Sequence, residues 1–315
     1  MKRLIFDEDH EMFRDSVRKF MQAEVGPHVE RWREAGICDK DAFLKAGEQG
    51  LLCMWADEKY GGLGIEDFRF EQIVIEETMR HGDLALFLTL HSRLVGPYIG
   101  QMGSEALKER LLPKCISGET ILGVAMTESG AGSDLAGMKS RAVQDGDDWI
   151  LNGSKTYISN GINGGAFVVA ARTVPDKPHG IGLFVVEEGM EGFSRGRNLA
   201  KMGLKAQDTA ELFFSDCRIP VENRLGDKGT GFLMLMEKLQ QERLVCAVMG
   251  VAAADFILEH TLAVCKTTAT GGQALSKSQA VQFALVEMAT DVKLGRTFLD
   301  KLVADHVEGL QVIVE

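Results

Sequence analysis

The chain has 315 residues, 45% of them hydrophobic and 26% charged, a balance that fits a soluble globular protein of one large or two to three smaller domains and excludes a disordered chain. Thirty-five lysines and arginines against 46 aspartates and glutamates leave a net charge of −11; no basic run compensates, so nucleic acid is not expected as a partner. The longest uncharged apolar run, Leu244 to Ala254, has 11 residues, short of the ~20 of a spanning helix, and no leader precedes the pattern at Phe6, so no membrane span and a cytoplasmic location are expected.

From Phe6 to about Gly118 the periodicity is helical. Phe13, Val17, Phe20 and Met21 fall on one face behind an acidic start at Asp7, Glu8 and Asp9, which suits a helix N-terminus. Gly26–Pro27 breaks this run, Tyr60–Gly64 reads as a loop, a second helical period covers Phe68 to Met79, and Pro113 and Gly118 are expected to close the zone. From Ile121 to about Asn223 short apolar runs alternate with turns, and 18 of the 35 glycines lie between Gly123 and Gly231. Strands this short predict a small barrel or sandwich, with spacers too short for βαβ crossovers. Helices return from about Phe232 past Ala254 and from near Ser276, the latter with Val281, Leu285, Met288 and Val292 on one face. Leu310 to Glu315 stops within an apolar pattern without a cap, so a bundle short of its full complement, or covered by another chain, is expected. The predicted architecture is therefore α+β: an N-terminal helical domain (1–120), a central β-barrel or sandwich (121–228) and an incomplete C-terminal helical bundle (229–315). The six cysteines are scattered without a C-x-x-C pair and read as reduced core residues; no metal site is expected.

Three constellations stand out. In Ala125–Gly137 small residues would let the backbone approach a bulky ligand, with Thr127 and Ser133 as hydroxyl donors; a Rossmann turn is excluded because Leu135 stands where G-x-G-x-x-G needs its third glycine. A Gly-rich hairpin without ligand would use the same residues. In Asn152–Gly161 strand alternation would put Tyr157 and Ser159 on one face, able to stack on and hydrogen-bond a planar heterocycle, although such alternation is also ordinary strand sequence. Phe232, Leu235, Leu239, Glu242, Cys246 and Met249 follow helical spacing, so Glu242 lands on an apolar stripe, where desolvation would raise its pKa above about 4.3 and suit a general base. Rotation to the helix edge to pair with a lysine or arginine is the alternative for an isolated glutamate.

These segments together resemble the acyl-CoA dehydrogenase family. Ala125–Gly137 resembles its signature, and Met202–Phe214, Asp216, Pro220 and Gln241–Leu244 are similar to its long-chain branch. The resemblance implies FAD-dependent α,β-dehydrogenation of long-chain acyl-CoA thioesters in fatty acid β-oxidation, with electrons passed to an electron-transfer flavoprotein and a homo-oligomeric (in the family, tetrameric) assembly. It implies that Val124, Met126, Thr127, Gly132, Ser133, Tyr157, Ile158, Ser159 and Gln279 contact FAD, that Ser133, His179, Gln240, Gln241 and Arg243 border the substrate, and that Glu242 is the catalytic base. Ahead of Gln273 the family reads Arg-x-x-Phe-Gly, its arginine reaching the FAD pyrophosphate of a neighbouring subunit; here Thr268 and Gly271 replace the arginine and phenylalanine. A hydroxyl in place of a bidentate cation predicts FAD binding weaker by ~1.5–3 kcal/mol. A catalytically silent paralogue that binds ligand or partner without turnover, and an oxidase passing electrons to oxygen, are the alternative readings.

Overall fold

A computed structural model gives the fold and describes residues 3–80, 84–175, 177–227 and 229–310. In chain order the helices are α1 (Glu8–Phe20), α2 (Val29–Ala35), α3 (Asp41–Glu48), α4 (Phe68–Arg80), α5 (Gly96–Met102), α6 (Glu105–Ile116), α7 (Gly231–Thr267) and α8 (Gln279–Val307). The strands are β1 (Leu122–Ala125), β2 (Arg141–Asp145), β3 (Asp148–Ser159), β4 (Ala166–Arg172), β5 (Ile181–Glu187), β6 (Phe193–Asn198), β7 (Thr209–Pro220), β8 (Arg224–Leu225), β9 (Ala269–Thr270) and β10 (Gln273–Ala274). The order is helical, then β, then helical, as the sequence predicts.

The chain divides into two compact units. One comprises Gln22–Glu66 and Leu84–Leu239. Its sheet runs in the order β6-β7-β3-β2-β4-β5-β8, with β1 beside β4. The sequence predicts short strands without βαβ crossovers. β3 and β7 are 12 residues each, because bulges at Leu151/Gly153 and Lys155/Ile158 let one long pair bend without breaking. β1 and β2 both pair parallel with β4, and the β2–β3 hairpin, rather than a helix, makes the return. The inward residues Trp149, Leu151, Phe167, Val169, Phe184, Leu212, Phe214 and Ile219 form the β core, each worth roughly 1.5–3 kcal/mol of transfer free energy.

In the same unit α6 passes through Pro113 and ends at Ile116, and Gly118, at φ +81°, follows it, so the helical zone closes over Pro113–Gly118. A Cβ at Gly118 would meet the Phe43 carbonyl at 2.2 Å. The wholly buried His91 closes the connection from α6 to β1: its Nε2 donates to the Cys115 carbonyl (2.9 Å) and its Nδ1 accepts from Leu122 N–H (3.0 Å). The Nδ1 acceptor needs the neutral ring, whereas the Nε2 bond is open to either form. Burial pushes the His91 pKa down to about 4, the Cys115 bond opposing the shift.

The other unit comprises Met1–Met21, Asp67–Asp83 and Gln240–Glu315. Asp7 caps α1, accepting from His10 N–H while the His10 ring bonds back, and the acidic first turn complements the helix dipole. α1 buries Val17 and Phe20 together with Arg14, which pairs with Glu76 and Glu77 of α4. Arg3 and Arg296 also reach Glu76, each at 2.8 Å. Burial alone would raise the Glu76 pKa, but the guanidiniums of Arg3, Arg296 and Arg14 hold it below the ordinary carboxylate range.

α7 contains an 18-residue stretch of mean hydropathy 1.5 and is, by length and composition, apolar enough to cross a membrane, so the 11-residue run understates it. Leu244, Val245, Val248 and Ala252 of this helix are buried. α8 buries Leu299 and Val303 and turns Phe283 (60% exposed), Val286 (64%) and Leu294 (65%) outward. Val281, Leu285 and Val292 share one half-buried face of α8, and Met288, on the same face by helical spacing, is exposed. The uncapped pattern at Gln311–Glu315 lies outside the described residues. Five cysteines are buried and Cys246 is exposed, contrary to its reading as a core residue.

Candidate functional site

The site is built at the end of β1. Parallel pairing sets Val124 beside Val168 and Ala125 beside Val169, and the chain then leaves the sheet as the Gly-rich loop. Glu128 and Ala131 exchange backbone hydrogen bonds of 2.9 and 3.2 Å, which folds the loop back on itself. Thr156 N–H donates to the Thr127 carbonyl at 2.9 Å, so the first two constellations meet in space.

The bulge in β3 decides which face Tyr157 occupies. Lys155 points inward, and simple alternation would send Tyr157 inward as well. Tyr157 instead adopts φ +58°, absorbing the extra residue, and its ring is 70% exposed while Ile158 is buried and Ser159 half-buried. Tyr157 and Ser159 therefore share the outer face. Ile158 lies in the β core, so its side chain is not part of this wall and only its backbone is available. The turn after it is held from the Met202–Phe214 motif: Asp208 accepts from Ile162 N–H (2.7 Å) and Asn163 N–H (3.0 Å), and Asn160 Nδ2 donates to the Leu122 carbonyl (2.9 Å).

Val124, Met126 and Thr127 are half-buried, and Gly132 and Ser133 are exposed. A Cβ at Gly130 or Gly132 would meet nothing within 4 Å, so the tip of the loop is open, and the Tyr157 side chain is exposed. Small residues, hydroxyls and one exposed aromatic fit a large planar ring. His179 is exposed and packs against Phe232, the rings tilted by 39° with centroids 4.1 Å apart. Arg172 links its loop to this one: its guanidinium donates to the carbonyls of Ala136 (2.7 Å), Met138 (3.2 Å) and Lys177 (2.6 Å).

The support beneath the wall is absent from the sequence expectations. The Lys155 ammonium is wholly buried and donates to Glu128 Oε1 (2.8 Å) and the Met126 carbonyl (3.0 Å). Glu128 also accepts from Lys139 N–H (2.7 Å) and Ser140 N–H (3.0 Å). Burial pushes the Lys155 pKa down to about 8, with Glu128 opposing; burial would raise Glu128, but Lys155, Ser140 and Lys139 outweigh it and hold it low. The signal was the parity of Lys155 with Trp149 and Leu151: a charge at an inward strand position demands a buried partner.

In the other unit Gln240, Gln241 and Glu242 of α7 are half-buried and Arg243 is exposed. Glu242 sits one turn before Cys246, whose thiol is held above its ordinary range by burial first and by the Glu242 charge second. Gln279 is exposed at the start of α8. Thr268 is exposed, and Gly271 and Gly272, at φ +60° and +83°, form the two-residue turn between β9 and β10.

A helical, β, helical order around a Gly-rich wall of this kind defines a class, and comparison with known proteins identifies it. Family models for the acyl-CoA dehydrogenase N-terminal, middle and C-terminal domains match residues 7–119, 123–217 and 229–313. The chain belongs to the acyl-CoA dehydrogenase family, oxidoreductases that dehydrogenate acyl-CoA. It is 44% identical over 307 residues to the mitochondrial long-chain specific acyl-CoA dehydrogenase of Sus scrofa, covering 96% of this chain and 71% of that protein. It is 36% identical over 310 residues to the mitochondrial isovaleryl-CoA dehydrogenase of Arabidopsis thaliana, covering 97% and 76%. The crystal structure of acyl-CoA dehydrogenase from Geobacillus kaustophilus superposes with a TM-score of 0.96 at 48% identity, covering 99% of this chain and 82% of that one.

Proposed function

We propose that the chain is an FAD-dependent dehydrogenase of long-chain acyl-CoA thioesters, forming the trans-2-enoyl-CoA, with Glu242 as the base that removes the Cα proton. The observation that carries the reading is the Thr156–Thr127 hydrogen bond, which joins the Gly-rich loop of Met126, Thr127 and Ser133 to the strand of Tyr157 and Ser159. When bound, FAD supplies the acceptor for the hydride that leaves Cβ. Tyr157 and Met126 flank the ring, and the hydroxyls of Thr127 and Ser133 donate to its polar edge. Glu242, half-buried on α7, holds the abstracted proton, and hydrogen bonds to the thioester carbonyl make Cα acidic enough for a carboxylate. Gln240, Gln241 and Arg243 on the same helix, and His179 beside Phe232, border the thioester and its CoA end. Gln279 at the start of α8 contacts FAD.

An electron-transfer flavoprotein is the proposed acceptor of the electrons. The outward apolar face of α8 supports association with a second copy of the chain. Long-chain preference rests on the similarity of Met202–Phe214 and Gln241–Leu244 to that branch, and a branched short acyl chain is the alternative. The test is an anaerobic titration of the FAD-loaded chain, followed at the flavin band. Palmitoyl-CoA is expected to bleach the band at least tenfold faster than isovaleryl-CoA. Equal or reversed rates overturn the chain-length assignment, and no bleaching by either overturns the activity.

A further inference from the structure

The Lys155–Glu128 pair touches none of the residues assigned to substrate or base, yet it joins every segment of the wall. Lys155 belongs to β3, the Met126 carbonyl and Glu128 to the loop after β1, and the Lys139 and Ser140 amides to the approach to β2. Both side chains are almost completely buried, with 0% and 7% of their surfaces exposed. A buried ion pair is a poor source of stability compared with apolar packing of the same volume, so its presence calls for a geometric role. Among the described residues each member's ion pair is with the other; Lys155 also donates to the Met126 carbonyl, and Glu128 also accepts from the Lys139 and Ser140 amides. The pair therefore sets backbone positions rather than side-chain positions. Lys155 draws in the Met126 carbonyl, which turns the Met126–Thr127 peptide. Glu128 gathers two successive N–H groups and so fixes where the loop rejoins the sheet.

We propose that Lys155 and Glu128 are positioning residues that hold the Met126–Glu128 backbone preformed for the planar cofactor, so that binding need not order the loop. This rests on the flavin-binding reading above. Preorganisation raises affinity by removing an ordering cost, without adding a contact to the ligand. The low pKa of Lys155 agrees with an ammonium kept charged only by its partner.

The experiment uses the full chain stripped of flavin and titrated with FAD. Wild type must bind first; a wild type that takes up no FAD refutes the flavin reading itself rather than the role of the pair. The expected results for Glu128→Gln are an FAD Kd raised at least tenfold and a blurred flavin band, with faster amide exchange confined to residues 126–140. An unchanged Kd and unchanged exchange overturn the proposal. Should Glu128→Gln fail to fold, the double variant Lys155→Met/Glu128→Leu removes both charges; it is expected to fold with FAD affinity still reduced tenfold or more, and wild-type affinity in it overturns the proposal. Amide exchange in flavin-free wild type is a second readout that needs no variant: Lys139 and Ser140 are expected to be protected, and exchange at open-loop rates overturns the preformed wall.

Discussion

Each unit buries a carboxylate among cations, and the two do it differently. Glu128 has one ammonium and two backbone N–H donors. Glu76 has three guanidiniums, from Arg3, Arg14 and Arg296, and each of these also reaches another carboxylate: Asp300, Glu77 and Asp255 respectively. The first arrangement is specific and has no spare partner, which suits a loop whose backbone must hold one shape. The second is redundant, which suits helices that must stay packed while any single contact loosens.

Removing Lys155 should therefore cost most. Lys155→Met leaves Glu128 buried without a counter-charge, and a loss of about 3–5 kcal/mol is expected in urea unfolding. His91 gives the next largest effect, through pH. Its folded pKa of about 4 lies below the ordinary 6.5, so the unfolded chain binds the extra proton between those values. Stability from the neutral ring is complete above pH 6.5 and is lost as pH falls toward 4, by up to about 3 kcal/mol. Urea midpoints across that window should fall in the wild type and fall less in His91→Gln. Arg296→Ala should cost least, about 1 kcal/mol, because Arg3 and Arg14 remain on Glu76. A loss equal to that of Lys155→Met would erase the contrast between the two clusters.

What the sequence disclosed follows the same division. Periodicity marked α1, α4, α7 and α8, and the glycine distribution marked the β region, because both are local signals. The Gly-rich loop and the Tyr157–Ser159 strand were legible as separate pieces. Their joining at Thr127 and Thr156 was not, since it depends on β1 and β3 lying in one sheet. Tyr157 faces outward because of a left-handed residue at a bulge, a conformation no residue type at that position announces. Pro113 and Gly118 marked the end of the helical zone, and α6 runs through the proline to Ile116 before it closes. Spacing put Glu242 on an apolar stripe and left its role open until the family resemblance singled it out; the structure gives it partial rather than full burial. The Lys155–Glu128 pair escaped because its members are 27 residues apart and only strand parity links them.

The central claim is that Glu242 takes the proton from an acyl-CoA held for dehydrogenation. The most direct measurement is the visible spectrum of FAD-loaded Glu242→Gln mixed anaerobically with palmitoyl-CoA. The expected result is a flavin band equal in intensity to wild type that is not bleached over the time in which wild type bleaches completely, a rate lower by at least about 10³-fold. Bleaching of the variant at the wild-type rate would contradict the account.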